Sequence, residues 1–104
     1  MTETESAGSA TSGPAVLDIG GGAGALLVIV PAALIGAEPE LSPAGRPDDR
    51  VHTGVHERRV AGQMVPVALY PSLDAGTWTL WGCGPCATRQ VEIVDGQVTH
   101  LDWR

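Results

Sequence analysis

The sequence has 104 residues, enough for one domain with a modest hydrophobic core. It carries 12 acidic and 6 basic side chains, and its formal net charge of −6 repels phosphate backbones and anionic membrane surfaces. Nucleic acid and membrane are therefore not expected as partners, and because Phe is absent the core must be filled by Val, Leu, Ile and the 3 Trp.

The first residues are polar and acidic. Apart from Met1, residues 1–13 are Thr, Glu, Ser, Gly and Ala. They bury too little apolar surface to offset the entropy of ordering, so we expect a disordered acidic tail over residues 1–13 and a folded domain over residues 14–104. Acidic residues stand where a secretory signal would be basic, which predicts a cytoplasmic protein.

Residues 19–37 carry no charged side chain and are numerous enough to cross a bilayer as a helix. Glycine and proline break the run into short pieces, and the acidic Asp18 and Glu38 flank it. Within it, Leu26–Val30 is typical of a buried strand bounded by turn signals. We therefore expect a strand here and no membrane span.

From residue 15 onwards, short apolar runs alternate with turn signals rich in Gly, Pro and Asp. The runs are residues 15–19, 25–30, 37–41, 51–60, 64–70, 77–81, 90–94 and 98–103. Runs at this spacing predict an all-β sandwich of seven to eight short antiparallel strands. Only residues 31–36 have a composition that allows a helical turn.

Two details of strand pairing follow from the pattern. The last two runs predict a β-hairpin, and a three-residue loop with Gly96 left-handed would pair Val94 with Val98 and give both strands one shared apolar face. Pro66 has no N–H to donate to a ladder. The strand over residues 64–70 is therefore expected at a sheet edge, or with Pro66 facing outward.

Residues 70–80 carry a recognisable motif, in which an aromatic ends one strand, a Leu fills the turn, and a Gly precedes a strand reading aromatic-x-Leu. The matching residues are Tyr70, Leu73, Gly76, Trp78 and Leu80. This segment resembles prealbumin-like β-sandwiches such as carboxypeptidase regulatory-like and Cna-B-like domains, with Trp78 where Tyr is usual. An Ig-like sandwich is the alternative. Residues 16–103 also resemble a family of small actinobacterial β-sandwich proteins, which implies a fold and no function.

Cys83-Gly84-Pro85-Cys86 is the thioredoxin active-site tetrapeptide, whose first thiolate is stabilised by the helix that follows it. Here the following residues 87–94 are rich in β-branched side chains and predict a strand. An ordinary hairpin loop or a labile disulfide between Cys83 and Cys86 is therefore favoured, and half a metal site or a redox pair are the alternatives.

Zinc binding is the second alternative for the cysteines. His52 and His56 add imidazoles, but on one strand they lie about 13 Å apart and do not easily bind one ion. One of them, or His100, would have to join the thiols. No complete ligand set is visible, so we assign no metal ligand and no cofactor.

The sequence contains no nucleophile–base pair and no carboxylate dyad, so no catalytic residue is assigned and the chain is expected to be non-enzymatic. The leading hypothesis is a binding module whose partner is another protein. The candidate interaction loop comprises Trp81, Gly82, Gly84 and Pro85. Trp78 and Trp103 fit the core pattern, whereas Trp81 has the opposite parity and would be an anchor if exposed.

Overall fold

The computed structural model describes residues 16–104, which form eight strands and one 3-10 turn. The strands are β1 Ala23–Ile29, β2 Glu40–Pro43, β3 Val51–His52, β4 Val55–Val60, β5 Gln63–Asp74, β6 Gly76–Leu80, β7 Arg89–Ile93 and β8 Val98–Asp102. The 3-10 turn is Ala32–Leu34, inside the only segment expected to turn helically. The tail expected over residues 1–13 and the domain start at residue 14 lie outside the described residues.

The strands form two four-stranded sheets. The first sheet has the order β4-β5-β1-β8 and the second has the order β3-β2-β6-β7. One hydrophobic core lies between them, so the all-β sandwich and its strand number are confirmed. The expectation of purely antiparallel pairing is wrong at one place, because β1 and β8 run parallel.

The core is built by alternation along the strands. The first sheet contributes Leu26, Val28, Val55, Ala68 and Tyr70, and the second contributes Leu41, Trp78, Leu80, Val91 and Ile93. Residues of the motif over 70–80 all serve this core or its turn. Leu73 is buried, Gly76 has a φ of +136°, and the Trp78 indole N–H donates to the Asp74 carbonyl oxygen at 2.8 Å.

The expected hairpin between the last two strands is not formed. Gly96 is left-handed as predicted, with φ +75°, and the Gln97 N–H donates to the Val94 carbonyl oxygen at 3.1 Å. However, β7 pairs with β6 in the second sheet, and β8 pairs with β1 in the first. The turn therefore crosses between sheets. An apolar face shared by β7 and β8 is equally consistent with a hairpin and with strands in two facing sheets. In both arrangements the two strands turn that face towards the same core.

The strand that contains Pro66 is not an edge strand, since β5 lies between β4 and β1. Pro66 nevertheless costs no ladder bond to β1. Its carbonyl oxygen accepts from the Val30 N–H at 3.1 Å. Because the nitrogen and carbonyl of one residue point to the same side of an antiparallel strand, the Pro66 nitrogen also faces the side of β1. At that level β1 has already ended, since its last residue is Ile29. The proline thus stands just beyond the last residue of its neighbour.

The apolar segment over residues 26–30 lies in and just after β1, as expected for a buried strand. Within residues 16–104, no helix has the length and apolar character needed to cross a membrane. The first apolar run is an exception to the strand pattern, because residues 16–19 form no strand.

Candidate functional site

All of the site residues proposed from the sequence lie in the loop between β6 and β7. We call Trp81–Cys86 the Cys loop. The Gly82 N–H donates to the Thr88 hydroxyl oxygen at 2.8 Å, which closes the base of the connection. Above it, Cys83 and Cys86 form an isolated antiparallel bridge with N···O distances of 3.0 and 2.9 Å. The loop is a miniature hairpin, and β7 rather than a helix follows it.

Gly84 and Pro85 form the tip of this hairpin. Gly84 has φ +53°, and a positive-φ glycine at the first central position is the pattern of a type II′ turn, which Pro85 can complete at the second. A Cβ on Gly84 would also lie 3.2 Å from the Leu34 Cδ1 atom. Gly82, Gly84 and Pro85 are exposed, so the tip is open to solvent.

Cys83 and Cys86 are free thiols that point to the same face, as directly opposed residues of an antiparallel pair do. Cys86 is 8% exposed, and its Sγ donates to the Trp103 carbonyl oxygen at 3.3 Å. Cys83 is half-buried and packs against the core. Burial, and secondarily the neighbouring Cys83, raises the pKa of the Cys86 thiol. A raised pKa lowers the thiolate population that redox chemistry requires.

The pairing of Cys83 and Cys86 bears on whether the two thiols can form a disulfide. A hydrogen-bonded antiparallel pair holds its Cα atoms about 5.5 Å apart, a separation that a disulfide can span. Its Cβ atoms lie up to about 5.5 Å apart, whereas a disulfide needs about 3.8 Å. A hydrogen-bonded pair of this kind is therefore expected to need a closing movement of the turn before a disulfide forms.

Tyr70 lies beneath the Cys loop and was identified from the sequence only as an aromatic that ends a strand. It is 2% exposed, and its hydroxyl donates to the Pro39 carbonyl oxygen, 31 positions away. Burial, then Cys83 and Glu40, raises the pKa of the Tyr70 phenol far above its ordinary value. No local sequence signal marks so distant a hydrogen bond.

Trp81 is half-buried and is held on the outer face of the second sheet. Its indole N–H donates to the Ser42 hydroxyl oxygen at 2.9 Å, and the Arg50 guanidinium lies 4.0 Å from the ring centroid. Arg50 in turn donates to a Glu40 carboxylate oxygen at 2.9 Å. Trp81 is thus a fixed support of the Cys loop, and only part of its ring is free to act as an anchor.

The histidines considered for zinc binding lie apart from one another. His52 is on β3 of the second sheet, where its Nδ1 is 3.1 Å from a Glu38 carboxylate oxygen. His56 and His100 lie on β4 and β8 of the first sheet. Across residues 16–104, no three His, Cys, Asp or Glu side chains converge on a position suited to a metal ion.

Comparison of the chain with protein-family models, curated proteins and solved structures finds no match. The geometry of the Cys loop bears on function in two ways. That geometry provides an exposed Gly84-Pro85 tip on a stem whose reciprocal hydrogen bonds fix its shape. It provides one buried thiol of raised pKa and one half-buried thiol.

Proposed function

We propose that the chain is a cytoplasmic, non-enzymatic binding module that recognises another protein through the Cys loop. One observation carries the proposal: the tip of Gly84 and Pro85 is exposed, while the stem below it is pinned by reciprocal backbone hydrogen bonds. A loop already held in one shape loses little conformational entropy on binding. Loops at the ends of a sandwich are also where a rigid scaffold commonly carries recognition.

The contacts around the tip suit a protein surface. The tip is small and uncharged, and beside it the half-buried Trp81 ring lies under the Arg50 guanidinium. An aromatic and an arginine at the border of a fixed turn are residue types enriched among binding hot spots.

We further propose that the sandwich belongs to the prealbumin-like class, on the strength of the buried motif residues between Tyr70 and Leu80.

A pull-down from native extract tests the role of the loop. Pro85→Arg places a large cation on the exposed tip without removing a hydrogen bond of the stem. Val94→Arg makes the same change at a 41% exposed position in the turn between β7 and β8 and is the matched control. We expect Pro85→Arg to lose a partner that wild type and Val94→Arg both retain. A partner captured equally by all three would remove the Cys loop from consideration and leave the strand edges as the site.

Thiol–disulfide exchange is the second candidate, favoured by the direct opposition of Cys83 and Cys86 on one face. The raised pKa of Cys86 and the absence of a following helix argue against efficient exchange. Insulin-reduction assays with wild type and Cys83→Ser separate the candidates. We expect wild type to be no faster than the dithiothreitol blank. Activity in wild type that Cys83→Ser abolishes would instead establish thiol–disulfide exchange as the function.

A further inference from the structure

Trp103 joins the segment after β8 to the Cys loop. Its indole N–H donates to the Ala87 carbonyl oxygen at 2.8 Å, and its own carbonyl oxygen accepts from the Cys86 Sγ at 3.3 Å. Its backbone N–H donates to the Ile29 carbonyl oxygen at 2.9 Å, just beyond the paired residues of β1 and β8. The side chain is 6% exposed and belongs to the core. The segment after β8 is therefore held partly by a cysteine thiol.

The bond from Cys86 to Trp103 exists only while the thiol is reduced. A thiol donates through its S–H group, and a cysteine in a disulfide has no such proton. Cys83 lies directly opposite Cys86, and the sequence has 2 Cys, so the two can form a disulfide only with each other within one chain. The Cα atoms of a hydrogen-bonded antiparallel pair are about 5.5 Å apart, within the range that a disulfide spans.

Forming the disulfide affects both bonds between Trp103 and the loop. It removes the donor of the Cys86 bond outright. It also draws the two Cβ atoms together, and Cys86 then moves towards Cys83 with the adjoining Ala87, whose carbonyl oxygen accepts from the Trp103 indole. The bond from the Trp103 backbone to Ile29 involves neither cysteine.

We propose that Cys83 and Cys86 are a redox switch for the docking of Trp103: the reduced loop holds Trp103, and a disulfide between the two cysteines loosens it. The oxidant is a low-molecular-weight disulfide, for which oxidised glutathione is the probe. The switch is separate from the recognition proposed above, because it acts on the buried side of the loop and needs no partner at the exposed tip.

The exchange begins at Cys83, which is half-buried, whereas Cys86 is 8% exposed. The Cys83 thiolate attacks one sulfur of oxidised glutathione, the S–S bond of glutathione breaks, and one glutathione thiolate leaves. Cys86 then loses its proton to solvent and attacks the Cys83 sulfur, which forms the internal disulfide and displaces the second glutathione thiolate. The protein loses two electrons and two protons, and the two glutathione thiolates take up protons from solvent.

The second step is the slower one. Burial, and secondarily Cys83, raises the pKa of the Cys86 thiol. A thiol must lose its proton before it attacks, so a raised pKa slows the displacement of glutathione from Cys83. The glutathione adduct of Cys83 therefore accumulates before the internal disulfide forms.

Mass spectrometry of the full chain in oxidised glutathione tests this chemistry. Wild type should first gain one glutathione and then become lighter than the reduced protein by two hydrogen atoms, and dithiothreitol should reverse both changes. Cys86→Ser should stop at the adduct, because no thiol remains to displace the glutathione. A wild type that keeps the glutathione, or that forms only disulfides between chains, would overturn the proposal.

Nuclear magnetic resonance of the indole N–H groups tests the loosening of Trp103. The sequence has 3 Trp, so three indole signals are expected. Oxidation should shift the signal of Trp103. The indole of Trp78 donates to the Asp74 carbonyl oxygen, which precedes β6 whereas the Cys loop follows it, so its signal should stay in place. An unchanged Trp103 signal in fully oxidised protein would refute the switch even if the disulfide forms.

Hydrogen exchange measures the size of the effect. The Trp103 amide should exchange about fivefold faster in oxidised than in reduced wild type, the change expected from the loss of one hydrogen bond. The Ala25 amide, which donates to the Gln97 carbonyl oxygen at the other end of the same strand pair, is the internal control and should not change. Cys86→Ser keeps a hydroxyl donor and cannot close the disulfide, so oxidised glutathione should leave its Trp103 amide unchanged. Equal exchange of Trp103 in the two states of wild type, or the same response in Cys86→Ser, would contradict the switch.

Discussion

Gly24 is the glycine at which the packing of the sandwich leaves the least room for a side chain. It lies in β1, beneath the turn that carries the chain from the second sheet to the first. A Cβ atom at this position would lie 2.3 Å from the Val94 carbonyl oxygen and 3.0 Å from that of Gln97. Because a Cβ atom essentially never approaches a non-bonded heavy atom within 3.0 Å, Gly24→Ala must push β1 and the Val94 carbonyl apart by at least 0.7 Å, the difference 3.0 − 2.3.

The turn has little freedom to make that movement. The Gly96 N–H donates to the Ala23 carbonyl oxygen, and the Ala25 N–H donates to the Gln97 carbonyl oxygen, each at 2.9 Å. Overpacking of this kind costs about 1–3 kcal/mol, and a contact between two backbones belongs at the upper end. At about 3 kcal/mol, and about 4–8 °C per kcal/mol for a domain of this size, Tm should fall by about 12–24 °C.

Thermal unfolding followed by circular dichroism measures this effect. Gly45→Ala is the matched control, because a Cβ there meets no heavy atom within 4 Å. Its Tm should stay within about 4 °C of wild type, since surface substitutions away from special features change stability by about 0.5 kcal/mol or less. If Gly24→Ala had the same Tm as Gly45→Ala, the close crossing of the turn over β1 would be wrong. The assignment of β7 and β8 to different sheets would then be wrong as well.

Four further outcomes test other parts of the structure. The chain has 1 Tyr, so absorbance at 295 nm reports on Tyr70 alone; its raised pKa predicts no tyrosinate near pH 10 while the protein is folded. Because the unfolded state then releases a proton that the folded state keeps, stability should fall above pH 10 by about 1.4 kcal/mol per pH unit, and Tyr70→Phe should lack this slope. Ala61 has φ +51° in the turn between β4 and β5, so Ala61→Gly should raise stability by about 1 kcal/mol in urea unfolding, and no gain would contradict that backbone conformation. Ellman's reagent should modify the half-buried Cys83 before the buried Cys86, whose reaction should await denaturant; equal rates would contradict the burial of Cys86. Elemental analysis of purified protein should show no stoichiometric zinc, and one zinc per chain lost in Cys86→Ala would reverse that prediction.

The sequence was sufficient to predict the layers of this fold but not its strand partners. Alternation along the chain shows which side chains face the core, and Val91, Ile93 and Trp103 are all buried as the pattern predicts. Knowing which face of a strand is apolar does not identify the strands it pairs with, however. A strand can turn its apolar face to the same core from either sheet. The parallel pair of β1 and β8 joins residues more than 70 positions apart, and its register depends on the fold as a whole.

The turn of the Cys loop was predictable because it depends on residues that are adjacent in the sequence. The contacts of Tyr70 and Trp81 were not predictable because they join residues far apart in the sequence. Gly84 and Pro85 specify a turn through their own backbone preferences, so the pattern marks the loop without reference to the rest of the chain. By contrast, the bond from Trp81 to Ser42 spans 39 positions. It forms because the parity of Trp81 places it on the outer face of the second sheet, where Ser42 of a neighbouring strand is also directed.

The Cys loop shows how the surroundings of a motif determine its chemistry. In the thioredoxin arrangement, a helix N-terminus supplies partial positive charge to the first thiolate. Here the same four residues fold back on themselves, and each cysteine N–H donates to the carbonyl of the other cysteine. Those amides are consequently unavailable to a thiolate, and burial of Cys86 further disfavours its charged form. What remains is a short turn with an exposed tip, and the proposed recognition of another protein rests on these two properties.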